Sequence, residues 1–359
     1  MKETGLKVGI IGCGGIANGK QMPSLSKIKA VQMVAFCDIV EERAQKAAGQ
    51  YGSSEAKVFT DYQDLLKEEI DVVHVCTPNR SHAEISIAAL ESGKHVMCEK
   101  PMAKTAEEAR LMTEAAKASG KRLAIGYNNR FRNDSQYLKQ ACENGELGDI
   151  YFAKAHAIRR RAVPTWGVFL NEEEQGGGPL IDIGTHALDL TLWLMNNYEV
   201  KSVMGNIYHK LSDKENAANA FGPWDPKEFN VEDSAFGFIT MKNGATVILE
   251  SSWALNSLDI GEAQSTLCGT EGGADMKDGL RINGEKYGKL HITKPDLDAG
   301  GVDFYSGEDE SDSDREARLW IDSLLNNKET VVQPEQALVV SEILEAVYES
   351  ARTGQPVYF

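Results

Sequence analysis

Leu6 to Ile11 is a short apolar run that stops at Gly12, the pattern of a strand buried on both faces. Val31–Cys37, Val58–Phe59, Asp71–Cys76, His95–Cys98 and Arg122–Gly126 repeat it. Between them, composition and spacing predict helices over Ile16–Lys27, Glu41–Tyr51, Asp61–Lys67, Ser81–Ser92 and Ala106–Ser119, with Pro23 expected to bend or shorten the first. Strands separated in this way require right-handed crossovers and predict a doubly wound parallel sheet. Beyond Tyr127 the texture changes. Ile150–Ile158 reads as strand and Leu180–Leu194 as helix, after which short β-type runs dominate: Val203–Ile207, Ser234–Met241, Thr246–Trp253 and Ser265–Leu267. Helices over roughly Arg315–Asn326 and Glu335–Arg352 close the chain. The expectation is an α/β protein of two domains. Residues 1–127 form the doubly wound sheet, and residues 128–359 form an α+β domain with a mostly antiparallel sheet.

Composition narrows the partners. The 359 residues carry 38 Lys and Arg against 54 Asp and Glu, a formal charge of −16, which argues against a nucleic-acid or anionic membrane surface. No apolar run approaches the roughly 18 residues of a membrane span. Met1–Gly5 leads straight into the first strand, so no signal peptide is expected. The six cysteines form no C-x-x-C pair or short-spaced ligand set, and read as reduced thiols in a cytoplasmic protein without a metal site.

Candidate chemistry starts at the first strand end. Gly12-Cys13-Gly14-Gly15-Ile16-Ala17 has the form G-x-G-x-x-A between a strand and a helix. Gly12 makes the tight turn, Gly14 lets backbone approach a pyrophosphate, and Ala17 lets helix and strand pack closely, while the helix N-terminus offers free N–H groups to phosphate. Asp38 ends the second strand, 24 residues after Gly14 and near the expected spacing of about 20. A carboxylate there accepts from ribose hydroxyls and repels a 2′-phosphate, favouring NAD over NADP, although Arg43 follows one turn later.

Two further strand ends carry Thr77-Pro78-Asn79, with His82 nearby, and Glu99-Lys100-Pro101. A lysine aimed into a cofactor cleft can polarise a substrate oxygen. In the second domain, Gly176-Gly177-Gly178-Pro179 starts a helix sharply. Asp182 and His186 are four apart on it, so a first-turn carboxylate can orient an imidazole that takes a proton near neutral pH. The spacing alone fits a structural Asp–His pair equally well.

Taken in order, these motifs, with Tyr127-Asn128-Asn129-Arg130 and Ser252-Trp253-Ala254, resemble the glucose-fructose oxidoreductase, inositol dehydrogenase and MocA-like family over roughly Lys7 to Val357. The resemblance implies a Rossmann domain followed by an α+β domain whose large open sheet often serves as an oligomer interface, hence a homodimer or homotetramer. It implies NAD(P)-dependent oxidation of a secondary alcohol on a sugar, inositol or related polyol. Lys100, Asp182 and His186 match the family's catalytic positions. Gly15 and Ile16 belong to the matched cofactor turn, Glu99 and Asn79 match positions near the nicotinamide ribose, Pro78 lies beside the cofactor, and Thr77 and His82 belong to the same motif. Arg130 matches a position near the substrate pocket. Arg161, within Arg159-Arg160-Arg161, and Trp166 are further substrate candidates on the loop before the reactive helix, with a solvated strand end and a core aromatic as the plain alternatives. Two other functions share this architecture: glycoside cleavage through transient oxidation by bound NAD, and cofactor sensing by a regulatory protein.

Overall fold

The computed structural model describes residues 5–297 and 310–359. Its contacts divide the chain into two compact units, Met1–Asn128 with Asp309–Leu338, and Asn129–Glu308 with Val339–Phe359. The first cut falls one residue beyond the expected boundary at Tyr127. The return of Asp309–Leu338 to the first unit was not expected, and its cause is long-range: Glu316, on the helix Asp312–Leu325, pairs with Lys20, and Trp320 and Ile321 of that helix join the core of the first unit.

Unit one is a six-stranded parallel sheet of β1 (Leu6–Ile11), β2 (Val31–Cys37), β3 (Lys57–Phe59), β4 (Val72–Val75), β5 (His95–Cys98) and β6 (Leu123–Ile125) in the order β3-β2-β1-β4-β5-β6. The order reverses between β1 and β4, which places a ligand crevice outside their carboxyl ends. Val8, Ile10, Val72, Val73 and Val75 are wholly buried, as strands covered on both faces must be. The stretch expected as one helix over Ile16–Lys27 is two pieces, a π turn Ala17–Gln21 and a helix Met22–Ser26. Pro23 falls in the first turn of the second piece, where a missing N–H is tolerated.

Unit two is built on a nine-stranded sheet. Its strands are β7 (Ile150–Ile158), β8 (Val200–Tyr208), β9 (Ser234–Met241), β10 (Thr246–Ser252), β11 (Gly261–Gly269), β12 (Gly272–Asp275), β13 (Arg281–Lys286), β14 (Lys289–Thr293) and β15 (Val357–Tyr358). They run in the order β14-β13-β12-β11-β7-β10-β9-β8-β15, and only the β7–β10 pair is parallel. Ala153, Ala155 and Ala157 of β7 turn inward beneath the helix Thr185–Met195, while Lys154 and His156 alternate onto the other face. The helix Asn133–Glu143 and the strands after β11 were not read from the sequence.

Arg130, matched to a substrate-pocket position, is fully buried instead. Its Nε and Nη2 donate to the two Asp189 carboxylate oxygens at 2.9 and 2.6 Å, and its guanidinium lies 5.6 Å from the Trp193 ring centroid. This bidentate pair ties the Asn128–Phe131 turn to the helix Thr185–Met195 from beneath. Removing one partner leaves a buried charge uncompensated. Arg130→Met should therefore cost about 3–5 kcal/mol in chemical denaturation, and adding Asp189→Leu should restore most of it.

Candidate active site

The glycine turn, Asp38 and the Thr77–Pro78 turn, expected to meet the cofactor, gather at the switch point between β1 and β4. Gly12 has φ +90°, and a Cβ there would lie 2.6 Å from the Cys76 carbonyl carbon and oxygen, so only glycine lets the first turn rest on the end of β4. Asp38 Oδ2 accepts from the Cys13 N–H at 2.8 Å and Oδ1 from Val40 N–H at 2.9 Å, which braces the glycine turn against β2. A Cβ at Gly14 or Gly15 would meet nothing within 4 Å. These two residues border open space, and Ile16 is exposed while Ala17 packs inside.

The open space is a cleft of about 610 Å³ lined by Gly12, Gly14, Asp38, Arg43, Thr77 and Pro78. Thr77 Oγ1 is buried with no hydrogen-bond partner among the described residues. A side chain-free approach at Gly14, an orphaned hydroxyl and an acid at the end of β2 fit a dinucleotide. Asn79 is buried in the turn that follows Pro78. His82 has a different place: Nδ1 is 2.7 Å from Pro101 O and Nε2 is 2.9 Å from Thr77 O. It ties the loop after β4 to the loop after β5. Burial lowers its pKa, and the neutral ring donates to one carbonyl at a time.

Glu99 stands at the centre of a buried polar chain. Its Oε1 accepts from Gln21 Nε2 at 2.7 Å and from Lys20 Nζ at 3.2 Å, and Lys20 also reaches Glu316 Oε2 at 2.8 Å. Gln21 Oε1 meets His74 Nδ1 at 3.0 Å. Because the Gln21 amide donates to Glu99, its oxygen must accept, and the His74 proton is assigned to Nδ1. Burial depresses the His74 pKa to about 3, so the ring is neutral. Burial also opposes the Glu99 carboxylate, but Lys20, Gln21 and Lys100 outweigh it and hold its pKa below the ordinary value. Glu99 Oε2 accepts from the Lys100 N–H at 3.3 Å, and a Cβ at Gly126 would come within 3.0 Å of that oxygen. The Lys100–Pro101 peptide that follows is cis.

In unit two, Asp182 and His186 belong to the expected helix, which opens as a π turn, Leu180–Gly184, before the α-helix Thr185–Met195. Such π segments recur at functional sites, and this chain has another directly after its glycine turn. Asp182 Oδ2 accepts from the Nε1–H of Trp253, a wholly buried ring, at 3.0 Å. The sequence reading missed Glu232, which anchors the helix start. Its oxygens accept from Gly178 N–H at 2.8 Å, Leu180 N–H at 3.1 Å and Tyr348 O–H at 3.0 Å. Burial pushes the Glu232 pKa up to about 7 against those three donors. A Cβ at Gly178 would lie 2.2 Å from Glu232 O and one at Gly177 2.0 Å from the Tyr348 hydroxyl, which explains the glycine run. Arg161 donates from Nη2 to Asn256 Oδ1 at 2.6 Å, and Trp166 is half-exposed on the loop before the helix.

Two family models match the chain: an oxidoreductase family NAD-binding Rossmann fold over residues 6–127 and the C-terminal alpha/beta domain of the same family over 139–359. The protein belongs to this glucose-fructose oxidoreductase, inositol dehydrogenase and MocA family, and is a nicotinamide-dependent oxidoreductase. It is 38% identical over 358 residues to D-glucoside 3-dehydrogenase of Escherichia coli, spanning 99% of this chain and 98% of that one. It is 33% identical over 193 residues to inositol 2-dehydrogenase of Salmonella paratyphi B, 53% of this chain and 55% of the relative. A dehydrogenase from Bordetella pertussis, solved with NADH and UDP-GlcNAcA, shares the fold with a TM-score of 0.77 and 21% identity over 99% of both chains. Among the described residues no group of three or more His, Cys, Asp or Glu is placed to hold a metal ion, and no helix is long and apolar enough to cross a membrane.

Gly14→Val fills the open space without touching the core. It should raise the NADH dissociation constant, measured by fluorescence titration, at least about tenfold while leaving the melting temperature within a degree or two.

Proposed function

We propose that the protein oxidises the C3 hydroxyl of a glucoside, with bound NAD as the hydride acceptor. The likeness to D-glucoside 3-dehydrogenase along essentially the whole chain supports the substrate class. The observation that carries the chemistry is the fixed Asp182 carboxylate, held by buried Trp253 four residues before His186 on an anchored helix start. A negative charge one helical turn from His186 favours the imidazolium that forms when His186 takes the hydroxyl proton. To Lys100 we assign stabilisation of the alkoxide that develops as the proton leaves. Neither residue needs a metal for this, because the lysine acts as the electrophile.

Asp38 supports NAD over NADP, since its carboxylate borders the cleft where a 2′-phosphate would bring further negative charge. Pro78, Thr77 and Asn79 are assigned to the nicotinamide end of the cofactor, with Glu99 holding the backbone of Lys100 in register.

NADH absorbance should rise with methyl glucoside and NAD, and more slowly with NADP. Lys100→Ala should lower kcat at least about 100-fold while NADH affinity is retained. His186→Asn should lower kcat by about 100-fold or more, again with NADH affinity retained. Turnover close to wild type in either variant refutes these roles.

A further inference from the structure

Two loops of the second unit, 159–171 and 209–233, are joined by polar contacts that imitate a strand pair. Asn219 Oδ1 accepts from Val163 N–H at 2.8 Å, while its Nδ2 donates to Val163 O at 2.9 Å and to Gly222 O at 2.7 Å. Ala220 N–H donates to Arg161 O at 3.0 Å and Thr165 Oγ1–H to Phe221 O at 2.7 Å. The joined loops hold Trp166 and Phe221 edge to face, ring centroids 4.8 Å apart at 89°. Yet these rings are 52% and 46% exposed. Large rings fixed by neighbouring backbone but left half in solvent form a prepared apolar wall, because ordinary core packing would have covered them.

The wall is continuous with the reactive helix. Trp166 packs on Phe169 at 5.8 Å, Phe169 on Trp253 at 6.4 Å, and the Trp253 indole N–H donates to Asp182. Trp253 and Phe169 therefore intervene between the Asp182 carboxylate and the exposed pair. A sugar ring whose hydroxyl meets His186 and Asp182 leaves the wall to whatever is attached to that sugar. Aromatic edges and faces recognise apolar CH surfaces and other rings, and they select by shape without requiring charge.

The geometry points to Trp166 and Phe221 as an aglycone subsite, which takes an aromatic or apolar group, or the apolar face of a second sugar, joined to the glucose that is oxidised. This rests on the reading of Asp182 and His186 as the reacting end of the site. It assigns a substrate class, glycosides with a ring-bearing aglycone in preference to free hexose, and it adds Phe221 and the Asn219 stitch to the residues that set specificity.

The test compares phenyl β-glucoside, methyl β-glucoside and glucose by kcat/KM, with phenyl 1-thio-β-glucoside as a binding probe followed by calorimetry. The wild type should prefer phenyl glucoside to glucose, mainly through KM. Phe221→Ala and Trp166→Ala should each reduce that preference at least about tenfold, and Trp166→Phe should recover part of it. Asn219→Ala, which leaves both rings in place but cuts the stitch, should weaken the preference in the same direction. Equal losses on phenyl glucoside and glucose, or an unchanged ratio in variants with wild-type circular dichroism, would overturn the subsite. If the wild type oxidises none of the three sugars, the dehydrogenase reading fails, and calorimetry then decides the subsite separately. Thioglucoside affinity lowered by Phe221→Ala upholds it, and affinity indifferent to Phe221→Ala removes it.

Discussion

An ammonium held between two carboxylates, away from water, organises the nucleotide-binding unit. Lys20 comes from the turn that follows the glycine loop, Glu99 from the end of β5 and Glu316 from a helix nearly three hundred residues further along. Each carries a desolvation cost that the others help to offset, which commits the three segments to one arrangement. The consequence reaches Lys100 through Glu99, whose second oxygen accepts from the Lys100 backbone N–H. Burial and the nearby negative charge of Glu99 raise the Glu316 pKa. Hence the return of Asp309–Leu338 to the first unit serves the cofactor cleft as well as the core.

The second unit applies a related device to the helix that carries Asp182 and His186. Here the buried carboxylate is Glu232, and its partners are the free N–H groups of a helix start in place of a lysine. Glycines at 177 and 178 are required because the Tyr348 hydroxyl and the Glu232 carbonyl occupy the space a side chain would take. The helix is thereby fixed at its first turn, where Asp182 lies, and again from beneath by Arg130 on Asp189. Trp253 links this frame to the aromatic loops. Rigid support behind a reacting group, with adaptable loops in front, is the arrangement in which substrates diversify while the proton chemistry stays constant.

What the sequence revealed was local. The strand–turn–helix context of Gly12 to Ala17 identified the crevice because every feature of that motif lies within one crossover, and Asp38 followed from its spacing. Asp182 and His186 were visible as a four-residue interval. What stayed hidden depended on distant partners. Nothing adjacent to Lys20, Glu232 or Glu316 announces a buried ionic role, since each reads as one more charge on a polar helix or loop. Arg130 shows the converse: a motif match carries a residue to a neighbourhood, and the packing adds that its guanidinium pairs with Asp189. His82 lies between two backbone carbonyls and donates to one of them at a time. The short strands after β11 and the helix Asn133–Glu143, whose buried side chains are only Ser135, Leu138 and Ala141, carry too weak an apolar period to declare themselves.

In the proposed reaction carbon 3 of a glucoside gives its hydride to the bound nicotinamide while His186 takes the hydroxyl proton and Lys100 stabilises the alkoxide. Methyl glucoside deuterated at carbon 3, incubated with NAD and the protein, tests it most directly by mass spectrometry of the nucleotide. The account predicts singly deuterated NADH and a keto sugar lacking the label. Unlabelled NADH, or a deuterium retained in the sugar while the nucleotide is reduced, would contradict it.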